Sequence, residues 1–268
     1  MTGPARPRFL VASALFALAT FASFATGCVD TSTEHRVRAN AFLRGGDAEG
    51  AVKECDEGLG KRPDDAGLLI LRGKALFELT RYDDARASYE KAIAVGKENE
   101  DSTLAEAHLG LAMIGTRQGD WAGARGHFEK LVVINDKDTT SRMNLAKACL
   151  SLGDLKCAVE QAEVAGQQRG NDEAVLFTLG TVYLRAGNTK DAEATFAHIC
   201  DVVPNAATCP YGLALVAAKL GDKPKAIAEL GRAVDRKLPN PGELASDPGF
   251  ASLTGEPDFV ALVERAKK

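Results

Sequence analysis

Residues 180–204 have the sequence GTVYLRAGNTKDAEATFAHICDVVP, and this stretch carries the pattern that decides the fold. Apolar residues at helical spacing lie on both sides of Gly187, so the stretch predicts two helices joined by a tight turn. Ala192 follows that glycine by five residues, and its small side chain lets the two helices approach closely. Phe196 lies one helical turn later and fills the space beside the alanine. The stretch therefore predicts a helical hairpin, which Pro204 ends.

The same turn recurs along the chain at an almost constant period. Six turn residues follow one another at intervals of 34, 39, 34, 34 and 34 residues: Gly46, Thr80, Gly119, Gly153, Gly187 and Gly221. An alanine stands five residues after each of them: Ala51, Ala85, Ala124, Ala158, Ala192 and Ala226. A fixed period of this length indicates units that bury their apolar faces against their neighbours. The surplus residues of the longer interval, around Gly96 to Thr103, are expected to lengthen one loop.

The residues around each turn have defined roles in such a hairpin. Glycine ends the first helix in a left-handed conformation, and an aspartate that follows it caps the second helix, as at Gly119-Asp120 and Gly153-Asp154. The position four residues after each alanine is mostly aromatic or aliphatic: Cys55, Tyr89, Phe128, Ala162, Phe196 and Leu230. These side chains are predicted to form the core between helices.

The period and the pattern Gly-x2-Tyr…Ala-x3-Phe…Pro resemble the tetratricopeptide repeat. The unit quoted above carries the pattern best, and the first unit departs from it most, with Ala39 and Phe42 in place of Gly and Tyr. The resemblance implies an all-α, right-handed superhelical solenoid of six helical hairpins. We assign residues 28–239 to these six units and residues 240–268 to a C-terminal cap. Prolines interrupt the cap, and Asp258 to Lys267 is predicted to be an amphipathic capping helix.

The first residues of the chain have the pattern of an export signal. Arg6 and Arg8 precede an uncharged, apolar run that ends in Ala25-Thr26-Gly27-Cys28. That ending resembles the lipobox of bacterial lipoproteins, although the family prefers Leu where this chain has Ala25. The resemblance implies cleavage after residue 27, so that residues 1–27 are a lipoprotein signal peptide, and acylation of Cys28 with palmitate-type chains. A plain secretory signal and an uncleaved membrane helix are the alternatives.

The residue after the lipobox cysteine bears on where the protein is located. In bacterial lipoproteins an Asp at this position commonly retains the protein in the inner membrane, and here the position is Val29. The resemblance therefore favours a lipid-anchored protein of the outer membrane that faces the periplasm.

Composition and motifs favour a binding protein over an enzyme. The net charge is −4 and no basic stripe is present, so nucleic acid is not expected as a partner. No motif for phosphate binding or nucleophilic catalysis occurs, and no small-molecule substrate or cofactor is expected. The four histidines, His35, His108, His127 and His198, are interpreted as spread over different units, so no metal site is predicted.

Five cysteines follow Cys28, and an exported chain meets oxidising conditions. Cys149 and Cys157 stand about equally far from a hairpin turn, as do Cys200 and Cys209 from the turn between the last two units. Both pairs are predicted to form disulfides. The alternative is buried free thiols, which is the interpretation for Cys55.

Tetratricopeptide arrays usually bind partners along the groove lined by the first helix of each unit. The register of this chain predicts the following groove residues: Ile70, Lys74, Phe77, Leu109, Met113, Met143, Lys147, Leu150, Phe177, Leu184, Tyr211 and Leu215. Arg36, Asn40 and Arg44 resemble the family's carboxylate clamp, but Leu71 and Glu106 break that pattern in the next units. The groove is thus expected to be a mostly apolar trough for a protein segment. The alternative is that some of these side chains are core between adjacent first helices.

The layout of a lipobox followed by about six repeats resembles the pilotins of type IV pili. That resemblance implies a non-enzymatic assembly factor whose protein partner is a secretin subunit. The alternative is a lipoprotein scaffold for cell-wall enzymes or for another envelope assembly machine.

Overall fold

The computed structural model describes residues 31–96 and 101–267. The predicted signal peptide and Cys28 lie outside these residues, as does part of the segment between the second and third units. In the described residues the hairpins pair α1 (Thr31–Arg44) with α2 (Ala48–Lys61), α3 (Ala66–Glu78) with α4 (Tyr82–Val95), α5 (Asp101–Gln118) with α6 (Trp121–Ile134), α7 (Thr139–Ser151) with α8 (Leu155–Gln168), α9 (Glu173–Ala186) with α10 (Thr189–Val202), and α11 (Thr208–Lys219) with α12 (Lys223–Asp235). The predicted all-α solenoid of six hairpins is confirmed.

The hairpin turns have the backbone conformation that the sequence predicts. The five turn glycines have φ between 76° and 87°, and Thr80 takes the same left-handed conformation with φ 60° in the second unit. The aspartate after the glycine then accepts a hydrogen bond from the backbone N–H three residues on, as Asp120 does from Gly123 at 2.9 Å. Each turn therefore ends one helix, and in four of the six units an aspartate caps the next.

The six repeated alanines are the innermost residues of the hairpins. Each of them is 0 % exposed. A larger side chain at this position would push the two helices apart, which explains why alanine recurs there in every unit.

Successive units are joined by aromatic rings that lie between pairs of glycines. Phe196 on α10 packs against Gly180 of its own unit and Gly212 of the next, and a Cβ at either glycine would lie less than 3 Å from the ring. Tyr89 on α4 lies in the same way against Gly73 and Gly110. The ring therefore contacts the first helix of its own unit and that of the following unit.

The longer second interval of the repeat lengthens a helix. We expected the surplus around Gly96 to Thr103 to lengthen a loop, but α5 already begins at Asp101 and has 18 residues, whereas α9 has 14. Most of the surplus is therefore an additional helical turn at the start of α5. Among the described residues, no helix is both long and apolar enough to span a membrane.

The C-terminal segment takes the place of a seventh hairpin. Two short 3-10 helices, Pro241–Ser246 and Pro248–Leu253, precede α13 (Pro257–Ala266), and Gly255 follows Gly221 by one period of the repeat. The second 3-10 helix packs on α11 and α13 packs on α12. Phe259, Leu262 and Val263 of α13 are buried, as predicted for the capping helix. The 3-10 helices were not predicted.

We expect Gly212→Ala to destabilise the chain by about 1–3 kcal/mol, because the added methyl group meets the ring of Phe196 in a packed interface. The control is Gly126→Ala on α6, where a Cβ would meet nothing within 4 Å. That change should stabilise the chain by about 0.5–1 kcal/mol through its helix propensity alone. Urea unfolding of the two variants measures both effects. Equal stabilities would contradict the role assigned to the glycine pair.

Candidate partner-binding groove

The first helices of units one to three enclose a cleft of about 950 Å³. Five of the predicted groove residues line it: Ile70, Lys74, Phe77, Leu109 and Met113. Arg36, Asn40 and Arg44 of α1 close one side. The concave face of the N-terminal half is therefore an open cleft, and the predicted residues of these units converge on it.

The cleft has an apolar floor and exposed apolar walls. Ile70 is 3 % exposed and belongs to the core beneath the cleft, as the alternative interpretation of the groove residues allowed. Leu109 and Met113 on α5 are 39 % and 41 % exposed, and Val37 on α1 is 65 % exposed. Apolar side chains that converge on a concave site at this exposure indicate a surface that is covered when a partner binds.

Charged groups in the cleft are partly compensated. Lys74 on α3 pairs with Glu106 on α5 at 2.5 Å, so the residue that breaks the clamp pattern neutralises the predicted groove lysine. Arg36 lies 3.9 Å from Asp65, and its Nε is buried without a hydrogen-bond partner in the described part of the chain. A buried donor of this kind costs free energy until an acceptor reaches it.

The C-terminal half of the concave face holds two smaller clefts. One, of about 630 Å³, is lined by the predicted groove residues Met143, Lys147 and Phe177. The other, of about 510 Å³, lies between Phe177, Tyr211 and the C-terminal segment. The two C-terminal clefts share Phe177 and Thr208, so they adjoin each other on the concave face.

Four further groove residues pack against the hydrophobic core or against the C-terminal segment of the chain. Leu150 and Leu184 pack at the edges of the hydrophobic cores of their own units. Tyr211 donates a hydrogen bond to Asp247, and its ring meets that of Phe250 edge-on at 5.5 Å. Leu215 packs against Gly249. The repeat register predicts which face these side chains share. It does not predict that the C-terminal segment covers the groove at the sixth unit, which only the structure of that segment shows.

The cysteines pair across neighbouring helices. Cys149 is bonded to Cys157 across the α7–α8 turn with a Cα–Cα distance of 5.8 Å. Cys200 is bonded to Cys209 with a Cα–Cα distance of 5.4 Å and links the fifth unit to the sixth. Cys55 is a buried free thiol, and burial together with the charge of Asp56 raises its pKa to about 12.

The histidines are not all in separate units, which corrects the sequence interpretation. His108 on α5 and His127 on α6 both belong to the third unit and face each other. His35 is buried in the first unit and forms a 2.6 Å contact with Glu54 on α2. In both cases the partners are 19 residues apart, so a first-helix residue meets the second helix at this spacing. That spacing is the signal by which the sequence could have revealed the pairs.

Comparison with known proteins agrees with the architecture. The family model described as Tetratricopeptide repeat matches residues 70–139 and 177–240. No curated protein matches the chain.

Solved structures share the fold at low sequence identity. A tetratricopeptide repeat protein from Parabacteroides merdae is 15 % identical with a TM-score of 0.65, over 89 % of this chain and 99 % of that one. PilW, described as a widely conserved type IV pilus biogenesis factor, is 17 % identical with a TM-score of 0.62, over 79 % of this chain and 95 % of its own. YrrB, described as having an unusual peptide-binding site, is 19 % identical with a TM-score of 0.57, over 80 % and 97 %.

The thiol of Cys55 is expected to resist alkylation in the folded chain. With a pKa of about 12, only about one thiol in ten thousand is ionised at pH 8, and the side chain is buried. Iodoacetamide at pH 8, followed by peptide mass spectrometry, should leave Cys55 unlabelled in buffer and label it fully in urea. Labelling in buffer at the rate of a free cysteine would contradict this assignment.

Proposed function

Because the chain belongs to the tetratricopeptide-repeat family, we propose that it is a non-enzymatic scaffold that binds a segment of another protein. The cleft of units one to three carries this proposal, since Leu109 and Met113 leave an apolar surface exposed at a concave site. Apolar side chains of a partner would bury this surface.

We propose that the scaffold acts at the cell envelope and is anchored by lipid at Cys28. The proposal rests on the basic start, the apolar run and the small residues that lead up to this cysteine. Val29 supports location in the outer membrane, with the repeats in the periplasm. The two disulfides are in keeping with an oxidising compartment.

The specific role we propose is assembly of a type IV pilus secretin, in the manner of a pilotin. The support is the layout of a lipobox and six hairpins, together with structural likeness to PilW over 79 % of this chain. At 17 % identity the likeness to PilW concerns the fold alone. The proposal of a secretin partner therefore rests on the layout of the chain. A scaffold for cell-wall enzymes or for another envelope assembly machine is the alternative, and the same cleft would serve it.

The two roles predict different phenotypes and different partners. Deletion in the native bacterium should abolish pili and leave cell shape intact if the partner is a secretin. Altered shape or lysis with normal pili would instead support the cell-wall role. Pili and shape that both remain normal would contradict both.

We expect the double variant Leu109→Glu, Met113→Glu to lose about tenfold or more of its bound partner, the change that 1.4 kcal/mol produces. Each carboxylate would have to be desolvated where an apolar contact is needed. Capture with membrane-solubilised protein and mass spectrometry of the bound proteins measures the loss. The control is Val133→Glu on α6, which adds the same charge at a residue that is 82 % exposed and lies outside the three clefts.

The captured proteins also discriminate between the roles. A secretin that is retained by the control and lost by the double variant supports the pilotin proposal and the cleft together. Capture of cell-wall hydrolases or synthases in place of a secretin would support the alternative role. A folded double variant that keeps every partner would contradict the assignment of the cleft.

Replacement of the lipobox cysteine tests the anchor. We expect Cys28→Ser to abolish incorporation of labelled palmitate and to move the chain from the membrane fraction, because no sulfur remains to be acylated. Val29→Asp is the matched variant, and it should keep the label while shifting the protein to the inner membrane. Labelling that survives in Cys28→Ser would contradict lipidation at this residue.

A further inference from the structure

The third unit brings two histidine side chains together between its helices. Nδ1 of His108 on α5 lies 3.1 Å from Nδ1 of His127 on α6, and the ring centroids are 5.3 Å apart. Both side chains are half-buried, so the edge of the pair remains open to solvent. Without an ion, one Nδ1 must carry a hydrogen and donate it to the other.

The separation of the two nitrogens is that of two ligands on one metal ion. Zinc binds imidazole nitrogen at about 2.0–2.1 Å, so two such nitrogens at an angle between 90° and the tetrahedral value lie about 2.9–3.4 Å apart. The observed Nδ1–Nδ1 distance of 3.1 Å falls within this interval. An ion could therefore be accepted with little movement of either helix.

Charged groups of both signs lie around the pair. Burial, then His127 and Lys130, lower the pKa of His108. Burial, then Arg86 of α4, lower the pKa of His127, while Glu90 and Asp120 act in the opposite direction. Two basic and two acidic groups thus surround the site, and their charges balance.

We propose that His108 and His127 bind a divalent transition-metal ion of the zinc class through their Nδ1 atoms. The ion takes both Nδ1 lone pairs and leaves each ring hydrogen on Nε2, so the histidine that donated its Nδ1 hydrogen changes tautomer. Water fills the remaining positions. The ion cross-links α5 to α6, as the disulfide cross-links α7 to α8.

The position of the site gives the cross-link a structural role. His108 precedes Leu109 on α5, and Met113 lies on the same helix, so the helix that the ion holds also forms a wall of the cleft. The third unit follows the longest interval of the repeat, and the two disulfides lie in units four to six. A metal ion would thus fix a hairpin to which neither disulfide extends.

A second group of side chains of the metal-ligand type lies in the first unit, but other residues already engage it. Ligand atoms of His35, Glu54 and Glu57 lie within 4.8 Å of one another. However, His35 contacts Glu54 through Nδ1 and Lys61 through Nε2, and Arg38 lies 3.4 Å from Glu54. Both ring nitrogens are thereby occupied and Arg38 pairs with the Glu54 carboxylate, so these side chains form a network of contacts within the protein itself.

The test is a zinc titration of the full chain, purified without a histidine tag and followed by calorimetry. We expect one ion per chain. The affinity for zinc should fall by more than about tenfold in His108→Gln and in His127→Gln, because loss of a metal ligand weakens binding at least as much as loss of an outer-shell partner does. His198→Gln, at an exposed histidine of α10, and Glu57→Gln, in the other group, are the controls and should bind as the unchanged chain does. Circular dichroism before each titration establishes that the variants are folded.

Two further measurements make the outcome decisive. Affinity should fall as the pH is lowered, because protons compete for the nitrogens. Zinc should raise the thermal midpoint of the unchanged chain and of both controls, and leave those of the two histidine variants where they are. Absence of binding to the folded, unchanged chain would overturn the proposal. Binding that survives in both folded variants, or that is lost in Glu57→Gln, would overturn it as well.

Discussion

At two of the junctions between units, the spacing of the array depends on an aromatic ring that lies between two glycines. Phe196 and Tyr89 each occupy a space that exists only because Gly180 and Gly212, or Gly73 and Gly110, have no Cβ. The ring fixes the distance of the next first helix, and the buried alanine fixes the distance of the second helix within the unit. Since every unit contacts only its neighbours, these two distances set the curvature of the concave face and hence the shape of its clefts.

This local rule explains what could be predicted from the sequence. The six alanines, the turn glycines and the capping aspartates each follow from contacts within one unit, so a repeated pattern was enough to locate them. Ile70 to Met113 converge on the N-terminal cleft for the same reason. The clefts of the C-terminal half were harder to predict, because Tyr211 and Leu215 are covered by residues that follow the last repeat and keep no repeat register. The partner is not specified by any single unit, so the repeat pattern alone does not predict it.

Contacts between the helices of one hairpin form an intermediate case. His108 and His127, His35 and Glu54, and Arg142 and Gln161 all pair at a separation of 19 residues. The separation is constant because the turn length and the helix register are constant, so it belongs to the fold and not to the side chains. What differs is the chemistry, which is a histidine–carboxylate contact in the first unit, a pair of imidazoles in the third and a neutral hydrogen bond in the fourth. The recurring positions of the repeat do not include these residues, so the repeat pattern does not reveal such pairs.

The position of the open cleft constrains what the scaffold can bind if Cys28 carries the anchor. Only two residues separate Cys28 from Thr31, the first residue of α1, and a fully extended chain spans at most about 3.6 Å per residue. The first turn of α1 would then lie within about 11 Å of the acylated residue, and α1 is a wall of the cleft. The C-terminal segment meanwhile covers the groove at the sixth unit, farthest from the anchor along the array. An anchored chain would therefore present the cleft of units one to three close to the bilayer, where a partner inserted in the same membrane is within reach.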